Sequence, residues 1–355
     1  MRLTRCESGP ANGPVLSYGQ YLEGIRDVIS KDGYRQLIDA TARQLGRDIS
    51  LADIEEILIY AEKHGSDYHP ARVEVRLDDV YASFVMNVAV TSRGKARLCR
   101  EFEVLEYLAG KYNLPFLPRT YFQGKAFFPS MVMFLADWFQ GYHEFHLARD
   151  AKDGSLKLVL WDTEKSPCQL SAPQAWQVFS QAARILTLYY DLETFEQIFP
   201  WHHAAGDFVV KAQEKSIDVS LVTARQYAPM LERSEGVSVH EGLLFFLLSL
   251  SVRMRLDRLD GVGAVAWADD ECVDATLGGF VEGLRIKQEK GFVDAEFVNG
   301  FLQYTGSFAK DDLYYRFHAL IDACDQAAPD IPVIKEHLER HISKFHLSLQ
   351  GLRDS

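Results

Sequence analysis

Between residues 50 and 140 the order of the predicted elements leaves few possible folds for this sequence. Apolar residues alternate with polar ones in short runs, which predicts strands, and recur at helical spacing in one longer run, which predicts a helix. In chain order these are strands at 55–60, 72–77 and 81–90, a helix at 95–112, and strands at 119–122 and 131–135. The short connections between the first three strands predict an antiparallel meander with one helix inserted after it.

Helices are predicted on both sides of this segment. Tyr21, Ile25 and Ile29 lie four residues apart, so 18–45 is predicted to be helical, with a break at 31–33 where the sequence is Lys-Asp-Gly. The first dozen residues are predicted to be a loose arm. After residue 140 the chain is predicted to be mostly helical, with a hairpin interrupting it. The predicted helices are 172–190, 238–257, 272–289, 294–303, 309–325 and 332–349, and the hairpin falls at 199–222.

We therefore expect an α+β protein with three parts: an arm with helices at 1–49, a sheet region at 50–140 and a helical region at 141–355. The 38 Lys and Arg residues against 50 Asp and Glu give a net charge of −12, which disfavours a nucleic-acid partner. The five scattered cysteines contain no Cys-x-x-Cys pair, so reduced thiols in a cytoplasmic protein are expected. The longest apolar run, 242–250, is short of the roughly 20 residues of a transmembrane helix, and no membrane partner is expected.

Several stretches resemble aminoglycoside phosphotransferases and choline-kinase-like proteins, in the order of that family. Residues 99–108 with 114–119 resemble its helix and the following Leu-Pro segment, 133–141 its inter-lobe linker, 200–210 its catalytic loop, and 217–218 its Ile-Asp metal motif. The similarity covers residues 50–225. It implies a bilobal protein-kinase-like fold, with a five-stranded antiparallel N-lobe carrying one helix and a mostly helical C-lobe, here preceded by an N-terminal helical segment.

The resemblance also implies a function: transfer of a phosphoryl group from ATP, with Mg²⁺, to a small hydroxylated acceptor in the cleft between the lobes. Glu101 matches the glutamate of the helix, although a solvated charge on the helix surface is the other interpretation. Asp137, in the linker, is a candidate nucleotide contact. Asp218 matches the metal-binding aspartate, and Asp207 stands where the family has a metal-binding asparagine. His202 stands where the family has its catalytic aspartate.

Other parts of the family pattern are missing. No lysine occurs between His64 and Gly94, where the third strand should carry the one that holds the phosphates. Arg72 or Arg76 on the preceding strand could replace it, unless they are ordinary exposed strand arginines. The segment 63–68 has one glycine and matches a Gly-rich phosphate loop poorly. A second alignment makes Asp207 the catalytic acid, but it leaves only 11 residues, 218 minus 207, before Asp218.

These departures predict a degenerate kinase, or pseudokinase, with reduced or altered phosphotransferase activity. Two alternatives stay open. One is an active small-molecule phosphotransferase in which His202 and Asp207 act on the acceptor and Asp218 holds the metal. The other is a non-catalytic binding or scaffolding module on the same fold. The acceptor and the oligomeric state are not indicated by the sequence.

Overall fold

The computed structural model describes residues 16–62, 68–78, 80–162, 166–214, 216–231 and 237–353. The chain divides into two compact units. These are Met1–Gln140 with Thr223–Gln226, and Gly141–Val222 with Tyr227–Ser355. The predicted N-terminal arm and most of the predicted phosphate loop, 63–67, lie outside the described residues.

The first unit is built on a five-stranded antiparallel sheet with one helix after the third strand, as the sequence predicted. Its elements are α1 (Tyr18–Ile29), α2 (Lys31–Leu45), β1 (Glu56–Ala61), β2 (His69–Leu77), β3 (Val80–Ala89), α3 (Ser92–Tyr112), β4 (Thr120–Phe127) and β5 (Ser130–Asp137). The strand order is β1-β2-β3-β5-β4. The sheet is therefore a meander whose last hairpin has been folded back so that β5 lies beside β3.

Each face of this sheet is covered by different helices, because side chains alternate between faces along a strand. Ala71, Val73 and Val75 of β2 are fully buried in one core with α1 and α2. The opposite face packs against α3, where the rings of Phe102 and Phe134 lie 5.7 Å apart. Arg72, Glu74 and Arg76 of β2 therefore project on the same side of the sheet as α3.

The two N-terminal helices begin and separate where the sequence signals that they should. Ser17 and Gln20 form a capping box at the start of α1. The predicted break is confirmed, since Asp32, Gly33 and Tyr34 adopt left-handed backbone angles before the regular part of α2. Both helices belong to the core of the sheet, so residues 18–45 are an integral part of the first unit.

The second unit contains all the remaining elements. They are β6 (Glu144–Arg149), β7 (Leu156–Trp161), β8 (Cys168–Gln169), α4 (Ala172–Tyr189), β9 (Glu196–Ile198), β10 (Phe208–Ala212), β11 (Ile217–Leu221), β12 (Tyr227–Pro229), α5 (Val239–Arg253), β13 (Leu256–Arg258), β14 (Val265–Trp267), α6 (Glu271–Glu289), α7 (Phe297–Gly306), α8 (Lys310–Asp322) and α9 (Asp330–Arg353). The six predicted helices are confirmed, with ends that shift by a few residues.

The start of the second unit differs from the expected helical region. A three-stranded sheet, β6-β7-β8, precedes its first helix. The predicted helix at 238–257 ends at Arg253, and the next residues form β13, which pairs with β14. The apolar run in α5 is buried on nearly all sides, so it belongs to the core. Among the described residues, no helix combines the length and the hydropathy needed to cross a membrane.

Candidate functional site

Glu101 is an interior acid of the first unit. Its side chain is 2% exposed and lies on the buried stripe of α3 with Leu98 and Leu105. The hydroxyl of Thr223 donates a hydrogen bond to its carboxylate. A carboxylate removed from water is stable only where the protein supplies compensating interactions. Glu101 is thus held in a fixed position, and the interpretation as a solvated surface charge is wrong.

Arg72 and Arg76 are held by acidic neighbours on the same sheet. Glu74, itself buried, accepts a hydrogen bond from Arg72 Nη1 at 2.9 Å and another from Arg76 Nε at 2.8 Å. Glu62 accepts from Arg72 at 3.2 Å, and Glu56 from Arg76 at 3.2 Å. The positive charge of both guanidinium groups is therefore compensated by the carboxylates around them.

Arg72 lies beside the place where the resemblance expects a lysine. It is the cross-strand partner of Val85 on β3. Its guanidinium also stacks over the ring of Tyr60, with its carbon 4.2 Å from the ring centroid. These contacts hold the arginine against β1, and its role in place of the lysine stays a prediction.

Asp137 joins three elements of the first unit at the end of β5. One carboxylate oxygen accepts from Tyr121 Oη at 2.5 Å and from the Gln44 side chain at 3.1 Å. The other accepts from the backbone N–H of Arg119 at 3.2 Å. Burial and this hydrogen bond raise the pKa of Tyr121 well above its usual range. These contacts tie α2 and β4 to β5, and the predicted role of Asp137 in nucleotide binding stays a prediction.

In the second unit, the predicted catalytic loop closes on itself through His202 and Asp207. The backbone N–H of His202 donates to the Asp207 carboxylate over 2.9 Å. Asp207 is 1% exposed, and its carbonyl accepts from Val222 at 2.8 Å. Gly206 between them has φ +67°, and a Cβ there would meet the Glu144 carboxylate at 2.7 Å, so only glycine fits. The two residues singled out from the sequence are thus brought together.

The side chain of His202 is oriented by its own loop. Its Nδ1 accepts from the backbone N–H of Ala204 at 3.0 Å, which places the proton of the neutral ring on Nε2. That nitrogen lies 3.8 Å from Asp330 Oδ2. The imidazole, acting as a donor, lowers the pKa of Asp330. In this tautomer neither nitrogen is available to take a proton from an acceptor hydroxyl, because one accepts a backbone hydrogen bond and the other is already protonated.

Asp207 and Asp218 are not brought together. In the β10–β11 hairpin Asp218 pairs with Lys211, whereas Asp207 lies opposite Val222. Four residues along a strand separate the two aspartates by about 13 Å. Mg²⁺ binds oxygen ligands at about 2.1 Å, so one ion cannot join both carboxylates. The pair therefore does not fit the magnesium site that the resemblance implies.

Asp218 has its own neighbours on the surface of the hairpin. The hydroxyl of Tyr142 donates to its carboxylate. Burial and this hydrogen bond raise the pKa of Tyr142 to about 12. The ammonium of Lys211 lies 5.9 Å from the centroid of the Tyr142 ring. Across the described ranges, no group of three or more His, Cys, Asp or Glu side chains is arranged to hold a metal ion.

A charged cluster beside this loop, in which His146 and Asp257 are buried and Glu144 is partly exposed, was not predicted. His146 Nδ1 lies 3.4 Å from Asp257 and its Nε2 lies 3.7 Å from Glu144. Burial alone would favour the neutral ring, but the two carboxylates outweigh it and raise the pKa of His146 to about 9. Asp257 also accepts from the backbone of Leu147 at 2.7 Å. His146 is therefore an imidazolium at neutral pH, joining β6 to β13.

His203, next to the loop, is a neutral counterpart. It is 2% exposed and surrounded by the rings of Phe145, Phe179, Trp201 and Phe208, with centroid distances of 5.3–6.0 Å. Burial lowers its pKa to about 4. Trp201 and Phe208 flank His203 in the sequence, whereas Phe145 and Phe179 come from β6 and α4, so the full enclosure depends on contacts between distant segments.

The comparisons with known proteins add no relative. No protein-family model matches the chain, and no curated protein is significantly similar to it.

Proposed function

We propose that this chain is a kinase-like protein whose phosphotransferase activity is reduced or altered. The observation that carries the proposal is the register of the β10–β11 hairpin. In this register Asp218 pairs with Lys211, so it lies four residues along the strand from Asp207. Phosphoryl transfer with Mg²⁺ needs its acidic ligands around the same ion. Val222 stands opposite Asp207 at the end of the hairpin, where an acid could have shared an ion with it, and valine offers no ligand.

The kinase-like part of the proposal is supported by the first unit. It contains a five-stranded antiparallel sheet with one helix after its third strand, and this is the order of elements along the chain that the resemblance implies. The helix after β3 carries one buried glutamate, Glu101, in the register that the resemblance assigned to it. Fold likeness alone does not establish an activity, so the argument about function depends on the side chains.

The reduced activity is supported by two further arrangements. Arg72 would have to leave Glu62 and Glu74 before it could hold a phosphate, and breaking such contacts costs binding energy. His202 would have to give up its hydrogen bond with Ala204 before Nδ1 could act as a base. Removing one preorganised charge-stabilising group from an enzyme typically costs about 10²–10³ in kcat.

ATP binding is tested by calorimetric titration with and without Mg²⁺. We expect weak binding whose affinity does not rise with Mg²⁺, and we expect Asp218→Asn to leave it unchanged. Tyr142→Phe is the matched control, because it removes the hydrogen bond to Asp218 but keeps the carboxylate. Saturable binding that requires Mg²⁺ and is lost in Asp218→Asn would favour the active phosphotransferase. No binding at millimolar ATP would favour the scaffolding module.

A further inference from the structure

The hairpin between β4 and β5 ends in two adjacent phenylalanines that face solvent. Phe127 is 73% exposed and Phe128 is 96% exposed, and Pro129 follows them at the turn. Phenylalanine is usually buried, and two neighbours this exposed at one protruding turn are costly in water unless something covers them.

The surroundings of this turn are basic, in a chain whose net charge is −12. Lys95 Nζ donates to Ser130 Oγ at 2.9 Å, and Ser130 pairs across the hairpin with Phe127. Lys125 is exposed two residues before Phe127, and Lys31 Nζ donates to the Lys125 carbonyl at 3.0 Å. Residues 120–136 contain no Asp or Glu, and the one acid of the hairpin, Asp137, stands at the end of β5 away from the turn.

The start of α3 is also rich in basic residues, which are unfavourable at the N-terminus of a helix. Residues 91–100 contain Arg93, Lys95, Arg97 and Arg100 and no acid. A helix N-terminus carries a partial positive charge, so cations there are unfavourable and acids are preferred. This first turn has no acid at all. Of these four cations, Lys95 lies beside the tip, through its hydrogen bond with Ser130.

We propose that the tip formed by Phe127 and Phe128, with Lys95 and Lys125 beside it, inserts into the surface of an anionic lipid bilayer. Aromatic side chains enter the interfacial region while flanking lysines stay with the headgroups. Each lysine or arginine near an anionic surface strengthens binding by about fivefold at moderate salt. The proposal departs from the expectation of no membrane partner, and it does not depend on whether the chain binds ATP.

Co-flotation of the full chain with vesicles tests the proposal. We expect binding to phosphatidylcholine vesicles that contain about one third phosphatidylserine, weaker binding at high salt, and little binding to pure phosphatidylcholine. Phe127→Ser with Phe128→Ser should weaken binding by about tenfold or more. Lys95→Glu with Lys125→Glu should abolish the preference for anionic lipid.

Matched controls lie far from the tip in the sequence. Tyr315 is 72% exposed on α8, and Tyr315→Ser should bind vesicles like the wild type, as should Lys335→Glu on α9. Equal melting temperatures confirm that all variants are folded. The proposal is overturned if the wild type does not prefer anionic vesicles, which docking onto a protein would predict, or if the double serine variant binds like the wild type.

The depth to which the tip enters the bilayer is measured by quenching of a tryptophan placed there. Phe128→Trp should be quenched by shallow brominated lipids in anionic vesicles. Phe292→Trp is the control, because it has as many tryptophans as Phe128→Trp but places the new one away from the tip in the sequence. Phe292 is 52% exposed, and this variant should show no added quenching. Equal quenching in the two variants would contradict insertion at the tip.

Discussion

Thr223 donates its hydroxyl hydrogen to the carboxylate of Glu101, across 122 residues of sequence. The contact ties a short segment, 223–226, to the helix that follows β3. It also gives a buried acid a neutral donor. Removing a hydrogen bond to a charged group typically costs about 1.5–3 kcal/mol.

Thr223→Val therefore should lower the free energy of unfolding by about 2 kcal/mol, because valine keeps the shape but lacks the donor. Thr223→Ser should retain most of the stability. Urea unfolding of the two variants at neutral pH measures the difference. Equal stability of the valine and serine variants would show that the hydroxyl does not stabilise Glu101.

Glu74 should matter more than any other acid on β1 and β2. It is buried between Arg72 and Arg76, and Glu74→Ala leaves both guanidinium groups without a shared partner. We expect a loss of about 2 kcal/mol, below the cost of breaking a fully buried pair because both arginines retain contact with solvent. Glu56→Ala is the control, since Glu56 is half exposed and should cost less than about 0.5 kcal/mol. Similar losses in the two variants would contradict the assigned role of Glu74.

His146 should make the protein less stable at alkaline pH. Its pKa is about 9 in the folded chain and about 6.5 when unfolded, so its contribution is complete below pH 6.5 and disappears as the pH rises through 9. The shift corresponds to about 3 kcal/mol at most. Urea unfolding between pH 6 and 10 should show this decline in the wild type and a flatter profile in His146→Gln. Parallel profiles would mean that the imidazolium does not hold Glu144 and Asp257.

His203 should act in the opposite direction, at acid pH. Its folded pKa of about 4 lies below the unfolded value, so stability is complete above pH 6.5 and falls as the pH drops through 4. His341, with a pKa lowered to about 3 by burial, should add to the same loss. His203→Phe suits the aromatic surroundings and should stay within about 1 kcal/mol of the wild type at pH 7. It should also resist acid better, which unfolding curves at pH 5 measure, and an unchanged acid sensitivity would refute the assignment.

The parts of the fold that sequence predicted are those with strong local periodicity. Alternation in 72–77 and the apolar stripe of 95–112 each specify one element and its buried face. Glu101 was assigned through the resemblance alone, with a solvated surface charge as the alternative, and its burial in the structure rules out that alternative. Helix ends moved by a few residues where caps and short strands intervened, as at Arg253.

The missed features depend on contacts between distant segments. Asp257 was taken as part of a helix end, but it lies on a three-residue strand and meets His146, 111 residues earlier. The resemblance assigned Asp207 and Asp218 to a common metal site. The strand pairing, which ends at Ala212 and Ile217, decides which residue each aspartate faces, and that pairing cannot be read from the sequence.

A direct assay of phosphoryl transfer decides whether this chain is a degenerate kinase. Kinases typically turn over at about 1–100 s⁻¹. With saturating ATP and Mg²⁺ and a panel of small alcohols, we expect ADP release at less than about a thousandth of that rate, and the same in Asp218→Asn. Turnover near 1 s⁻¹ that requires Mg²⁺ and is lost in Asp218→Asn, but not in Tyr142→Phe, would contradict the account.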